Sequence, residues 1–593
     1  MPRKNPMKPD INLRLLLLNT LTAVVLHGGS ATYTWAPEGT EASATQGGAG
    51  QWNAAYALWW DGTKIIAAGG NGRDGNRLPF GSATQDATLN FNGKGGTIIK
   101  TDIAFFGSNP KPNRTHTLNF APGSHYTLTS PDLAPWGAIS SGALAHIVYN
   151  VGKGATLTLG GNGQQIALVT GSDVSAGPGL LFTGGGVVDL RSRTLVRNGS
   201  ANSRLTIREG TTVNFNDDTL YTAMTGNFAK PLPPVATRIA LEDGTLTVNG
   251  GRLITGYHAK ALALAGPDGR GFGIAVGATP DGAPATLNLV SGEITALGDP
   301  RSAGGNDSYA GIAIGLGATN KGGIVNLKGG TLAVTNIRAR VAPGGTAILN
   351  LDGATVKVST AESLDSGYSS ANATQLQTRL DGFITGFEGT ESSHIEIGEN
   401  GVVFDTTGIG NNAKTTVATI ASAIRGKGGL LKKGNNGLRL VRANTYTGTT
   451  IIEGGELFID GKTASVASNI TVGSGATLGG TGRVNGKVTL REGATLLPGN
   501  DFLRGNDLEW HSGARIGINL TTVLDKPFLH VKNLKKTGSG PFEISVTGAI
   551  SGQHVIFDVT EKNDFSADDI TVTVNDSPAV LLKEGNRIVF KLP

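Results

Sequence analysis

The chain has 593 residues, 90 of them glycine and 24 proline, with 38% hydrophobic and 16% charged residues and a formal net charge of +5. So low a charge density excludes a highly charged disordered chain, and the absence of cysteine excludes disulfides and thiolate metal sites. Arg3, Lys4, Lys8 and Arg14 concentrate the basic excess at the N-terminus; nucleic acid, which needs a clustered basic face, is not expected as a partner.

In chain order, residues 1–31 read as a signal peptide. A basic stretch precedes LRLLLLNTLTAVVL, and small residues come next at Gly28, Gly29, Ser30 and Ala31. That order is what export machinery reads, and cleavage is expected after Ala31. The run is short for a spanning helix and is interrupted by Asn19 and Thr20. No other segment approaches spanning length, so no transmembrane segment is expected once the signal is removed. The implied location is secreted or cell-surface, with the periplasm as the alternative.

Residues 32–150 are expected to form an N-terminal cap and the first rungs of a solenoid. Trp35, Trp52, Trp59 and Trp60 are four of the chain's 6 tryptophans, and Tyr33 and Tyr56 join them. Such a cluster has two readings. Bulky aromatics can cover an otherwise open first rung, or Trp52, Trp59 and Trp60 can present faces to a glycan. The cap reading is preferred, because a solenoid needs its end covered.

Residues 151–524 are expected to form the body. GATLTLG from Gly154, GTLTVNGG from Gly244, ATLNLVSG from Ala285, GIVNLKGG from Gly323 and AILNLDG from Ala347 repeat one pattern of glycine, turn residue and alternating strand. Leu246, Leu287, Val325 and Ile348 are taken as equivalent positions, giving a period of about 20 residues, sometimes skipped. Strands of four to six residues that alternate in and out favour a β-solenoid over a helical one. One stretch, from Ala373 through Leu376, Leu380, Phe383 and Ile384, has helical spacing and predicts a short helix between rungs. Residues 525–593 have longer strands, as in DITVTVN from Asp569 and RIVFKL from Arg587, and predict a C-terminal cap of antiparallel hairpins.

Residues 428–461 read GGLLKKGNNGLRLVRANTYTGTTIIEGGELFIDG. The positions Gly428, Gly429, Leu430, Lys432, Gly434, Gly437, Leu438, Leu440, Asn444, Tyr446, Gly448, Gly454 and Leu457 resemble the autotransporter-associated β-strand repeat, also called the passenger-associated transport repeat. GGTGRV and LLPGN in the stretch from Gly473 resemble the segment that family members carry directly after the repeat. The resemblance implies an all-β, right-handed parallel β-helix and a life outside the cytoplasm. No run of amphipathic barrel strands comes before Pro593, a departure from a full autotransporter that puts self-transport and surface anchoring in doubt. Large exported proteins that carry the repeat without a barrel suit the chain better.

Chemistry-bearing motifs are sparse. GNGRDG at Gly70–Gly75 has dinucleotide-fingerprint spacing but not the strand-turn-helix setting. GGNGRD at Gly69–Asp74 matches the start of a calcium-binding nonapeptide, in one copy only. Of the nine histidines only His116 and His125 approach ligand spacing, and no metal is implied. No GxSxG or HExxH occurs. Asp217–Asp218 and Asp568–Asp569 are adjacent, so strand geometry would point each pair to opposite faces. The lysine pairs Lys432–Lys433 and Lys535–Lys536 read as solvated. No catalytic residue, cofactor or metal is expected. The function expected is a passenger-like structural or adhesive protein, with cell-surface glycans or surface proteins as partners. The alternatives are a polysaccharide-active β-helix enzyme, lyase or hydrolase, or a glycan-binding module.

Overall fold

The computed structural model describes residues 31–37, 47–52, 58–67, 86–100, 104–106, 114–130, 138–141, 145–161, 166–169, 178–191, 194–197, 204–216, 220–221, 238–256, 273–277, 279–298, 310–315, 319–359, 380–407, 409, 416–499, 502–520, 527–548 and 552–592. The expected signal peptide, the Gly69–Gly75 motifs, Asp217–Asp218 and residues 373–379 lie outside these segments. Ala31, the expected last residue of the signal, already begins the first described strand, Ala31–Trp35.

The chain is a parallel β-helix. Each turn contributes short strands to three ladders, and each strand pairs in parallel with its counterpart one turn before and one turn after. Gly437–Leu440, Ala443–Asn444 and Thr450–Ile452 make one such turn. They pair with Glu456–Ile459, Ser465–Val466 and Ile470–Val472 of the next. The alternation seen in the sequence sorts the side chains: TAILNL at Thr346–Leu351 buries Ala347, Leu349 and Leu351 and turns Thr346, Ile348 and Asn350 outward. The buried residues stack into columns. One runs Ala418, Leu438, Leu457, Leu478, Leu496, Ile516, Ile544 and Val572 in register. Burying such a column stabilises the stack by roughly 1.5–3 kcal/mol per large side chain removed from water. Because each turn covers the next, the core is one continuous cluster from Trp35 to Phe590.

Three expectations need correction. The column through Leu246, Leu287 and Val325 continues to Leu349, not Ile348. Ile348 pairs with Ile324 on the outer face, since a one-residue slip reverses every side chain. The parallel ladders also do not stop at 524; they run on to Ile570–Val574. Antiparallel closure comes only after that, where Arg587–Leu592 pairs with Gly552–Asn563 and with Leu581–Glu584. Finally, Ile384 is not helical. It lies in the strand Ile384–Thr385 and pairs with Ile337 and Ile420, so ladder hydrogen bonds outweigh the local spacing.

The N-terminal end is closed by aromatics. Ala31–Trp35 pairs in parallel with Ala87–Phe91 on one side and antiparallel with Leu58–Trp60 on the other. Trp35, Trp52 and Trp59 are each 0% exposed. Trp59 meets Trp35 and Trp52 edge-on at 5.3 and 5.2 Å between ring centroids, and Phe91 at 5.5 Å. Phe91 then stacks on Phe120 at 4.6 Å, which carries the aromatic plug into the regular core.

Candidate functional site

The repeat-like segment runs through parts of two successive turns, so that Leu430–Lys432 pairs with Thr450–Ile452 and Gly437–Leu440 with Glu456–Ile459 within it. Leu430 and Lys432 face inward from Leu430–Lys433, and Leu438 and Leu440 from Gly437–Leu440; Leu457 stacks on Leu438. Gly428, Gly429 and Gly448 form a corner where backbone meets backbone. A Cβ at Gly448 would overlap Gly428, and one at Gly428 would overlap the Gly398 carbonyl, so only glycine allows this approach. Gly434 turns the chain at φ +85°, a conformation that L side chains rarely adopt.

Lys432 corrects the reading of a solvated pair. Lys433 points outward to Glu453 at 3.4 Å, but Lys432 is 0% exposed. It sits in a column that is otherwise apolar: Val356, Phe404, Lys432, Ile452, Val472, Leu490 and Trp510. Its Nζ donates to the carbonyl oxygens of Lys433 at 2.8 Å, Gly434 at 3.1 Å and Gly454 at 3.0 Å. All three donors of the ammonium are thereby used. Burial pulls the amine down to about 8, against the opposing pull of Asp405 and Glu456. The Glu456 carboxyl is itself raised by burial, with Lys432 acting in the other direction.

Asn444 and Tyr446 close the remaining corners. Asn444 Oδ1 accepts the Ile424 amide at 3.0 Å, and its Nδ2 donates to the Arg442 and Ser465 carbonyls at 2.7 and 3.1 Å. One side chain thus ties together three successive turns. Tyr446 is buried, and its hydroxyl meets Thr450 Oγ1 at 2.7 Å, which meets Ser468 Oγ at 2.7 Å. Burial raises the Tyr446 phenol, partly offset by those two hydroxyls. These motif residues satisfy the turn internally; they present no reactive group to solvent.

The residues proposed for glycan contact are placed differently. Trp52 and Trp59 have no exposed ring face, so the aromatic-platform reading does not apply to them. Trp60 is half-buried on the outer side of the capping strand. Asp569 caps a short turn, accepting from the Ser566 amide at 2.7 Å and from Lys536 Nζ at 2.7 Å. Lys536 holds its carboxyl down at about 2. The Asp569 carboxylate is thus engaged by Ser566 and Lys536. Lys487 and Lys535 similarly hold Glu509 at about 2. His116 is buried and His125 exposed. Among the described residues, no group of three His, Asp or Glu is placed to hold a metal.

The outer surface carries an arrangement that the sequence reading missed. On one face, Thr158, Asp189, Asn214, Thr247, Asn288, Asn326 and Asn350 lie in register over seven turns. Asn350 Nδ2 donates to Asn326 Oδ1 at 2.8 Å, Asn326 to Asn288 at 2.9 Å and Asn288 to Thr247 Oγ1 at 3.2 Å. Asn214 donates to Asp189 at 2.7 Å. A second ladder links Asn150, Asn119 and Asn90. The first row ends on an ionic cluster. There Arg425 grips Glu391 through both terminal nitrogens at 2.6 and 3.1 Å, and meets Glu396 at 3.3 Å and His394 Nε2 at 3.2 Å. Arg425 lowers the Glu391 carboxyl. The alternating Asn in NLV, NLK and NLD was visible in the sequence; their registration was not, because loop lengths differ from turn to turn.

Compared with protein-family models, with curated proteins and with solved structures, the chain matches none. No helix among the described residues is long and apolar enough to cross a membrane.

Proposed function

We propose that the chain is an exported, passenger-like β-helix with a structural or adhesive role at the cell surface or outside the cell. One observation carries this reading: a single continuous stack of turns whose interior cation, corner amides and outer asparagines are bonded from turn to turn. Such cross-bonding along the axis favours a stiff, elongated body whose flanks are its useful surface. The resemblance of residues 428–461 to the autotransporter-associated repeat supports the same class. Lys432, Asn444 and Tyr446 there act as fasteners between neighbouring turns rather than as reactive groups.

Fractionation of the producing cell, combined with protease treatment of intact cells, tests the proposal. The chain is expected in the surface-exposed or released fraction, degraded by external protease only when released from its folded state. Recovery in the cytoplasm with residues 1–31 still attached would overturn it.

A further inference from the structure

We infer that the outer face along Thr247, Asn288, Asn326 and Asn350 is a docking strip for a neutral, linear, hydroxyl-rich polysaccharide lying along the helix axis. The inference rests on the adhesive reading and names its ligand class and its site.

Three features of the strip carry it. First, the amides are held in place before any ligand arrives. Each of Asn288 and Asn326 spends one N–H on the turn before and accepts one bond from the turn after. An amide has two N–H groups and two acceptor sites, so each keeps one donor and one acceptor beyond those the ladder uses. A sugar hydroxyl pair donates once and accepts once, which matches that pairing. Because the ladder has already fixed the side-chain rotamers, little further ordering is lost on binding. Second, the spacing is regular. Successive turns lie about 4.8 Å apart, and the neighbouring outward row lies about 6.7 Å away along the strand. A pyranose chain advances by a comparable step per residue. In that neighbouring row Thr286, Ile324 and Ile348 succeed one another in register and are half-buried. They supply an aliphatic shelf for the C–H face of a ring beside the polar amide row. Third, the charge is matched. From Asn214 to Asn350 the amide row bears no charge, and Asp189 below it is occupied by Asn214 and Arg191. Ionic groups resume at Glu396 and Arg425, which are bonded to each other. An uncharged strip of amides and hydroxyls complements an uncharged polymer, and would leave an anionic one without counter-charge.

The test is affinity electrophoresis of the full chain through gels containing hydroxyethylcellulose, dextran or laminarin, with alginate as the anionic control. Retardation is expected with at least one neutral glycan, unchanged when sodium chloride is added. Ile324→Lys, on the shelf and outside the hydrogen-bonded ladder, is expected to weaken retardation about tenfold. Asn326→Asp is expected to do the same, and circular dichroism matching the parent excludes loss of fold as the cause. Retardation by alginate alone, loss of retardation in salt, or full retention in both variants would overturn the inference, as would no retardation by any neutral glycan. Binding to whole cells, measured in parallel, separates the two levels. Cell binding unaffected by Ile324→Lys would leave the adhesive reading standing while the strip falls. No binding to cells or glycans by the parent would remove the adhesive reading itself.

Discussion

Replacing Lys432 by methionine separates the two opposing energies of a buried cation. Methionine keeps the aliphatic stem in the column between Phe404 and Ile452 but removes the ammonium. The Lys433 carbonyl keeps a second donor, the Thr406 amide. The Gly434 and Gly454 carbonyls lose the Nζ bond, at about 1–3 kcal/mol each, or about 4 kcal/mol together. Against this, the amine lies at about 8 instead of 10.5, so relief from burying the charge returns about 3 kcal/mol. At pH 7 the two nearly cancel, and a net loss of about 1 kcal/mol is expected. Because the folded value is depressed, the unfolded chain alone holds this proton between about 8 and 10.5. Wild-type stability from this group therefore rises with pH across that window. The variant lacks that rise, so its deficit should grow to about 4 kcal/mol by pH 10. Chemical denaturation followed by far-ultraviolet circular dichroism at pH 7 and pH 10 reads both numbers. Titrating groups that do not interact with Lys432 are common to the two proteins and drop out of the difference. A deficit that stays constant or shrinks with pH would refute the assignment of a strained but fully bonded ammonium.

Four further outcomes are expected. Trp59→Ala removes the ring that joins Trp35, Trp52 and Phe91 and should cost about 3–5 kcal/mol, with loss of near-ultraviolet circular dichroism from the N-terminal end. Asn444→Ala takes the side-chain partner from the Ile424 amide and the Ser465 carbonyl, while the Arg442 carbonyl keeps the Ser465 amide, and should cost about 2–4 kcal/mol, measured by denaturation. Tyr446→Phe leaves the Thr450–Ser468 pair intact and should cost only about 1 kcal/mol in the same assay. Glu509 is held at about 2, below its ordinary 4.5. Its stabilising contribution is present above 4.5 and is lost as pH falls toward 2, so Glu509→Gln should flatten the acid limb of the stability profile between those values.

The architecture was legible because a β-solenoid repeats one elementary rule. Alternation in TAILNL and ATLNLV announces an inside and an outside, and glycine marks the corners. Register was not legible at this level. The Val325 column passes to Leu349 because turn length changes, and spacing alone points one residue away, to Ile348. Charge alone makes Lys432 a surface residue, whereas alternation makes it an interior one. Leu430 inside and Leu431 outside already place the next residue inside, and only the three carbonyls reveal how that is tolerated. The aromatics at Trp35, Trp52 and Trp59 could be recognised as a cluster, yet burial, which decides between plug and platform, belongs to the packed end. The Asn288–Asn326–Asn350 ladder needed the register first: three asparagines in three similar segments become one surface only when their turns are stacked.

A structural or adhesive role is separated from an enzymatic one by incubating the purified chain with a panel of insoluble and soluble polysaccharides, scoring retention and release of soluble sugar fragments in the same tubes. Retention without release is the expected result. Release of fragments would contradict the adhesive reading and would point to carboxylates converging across turns.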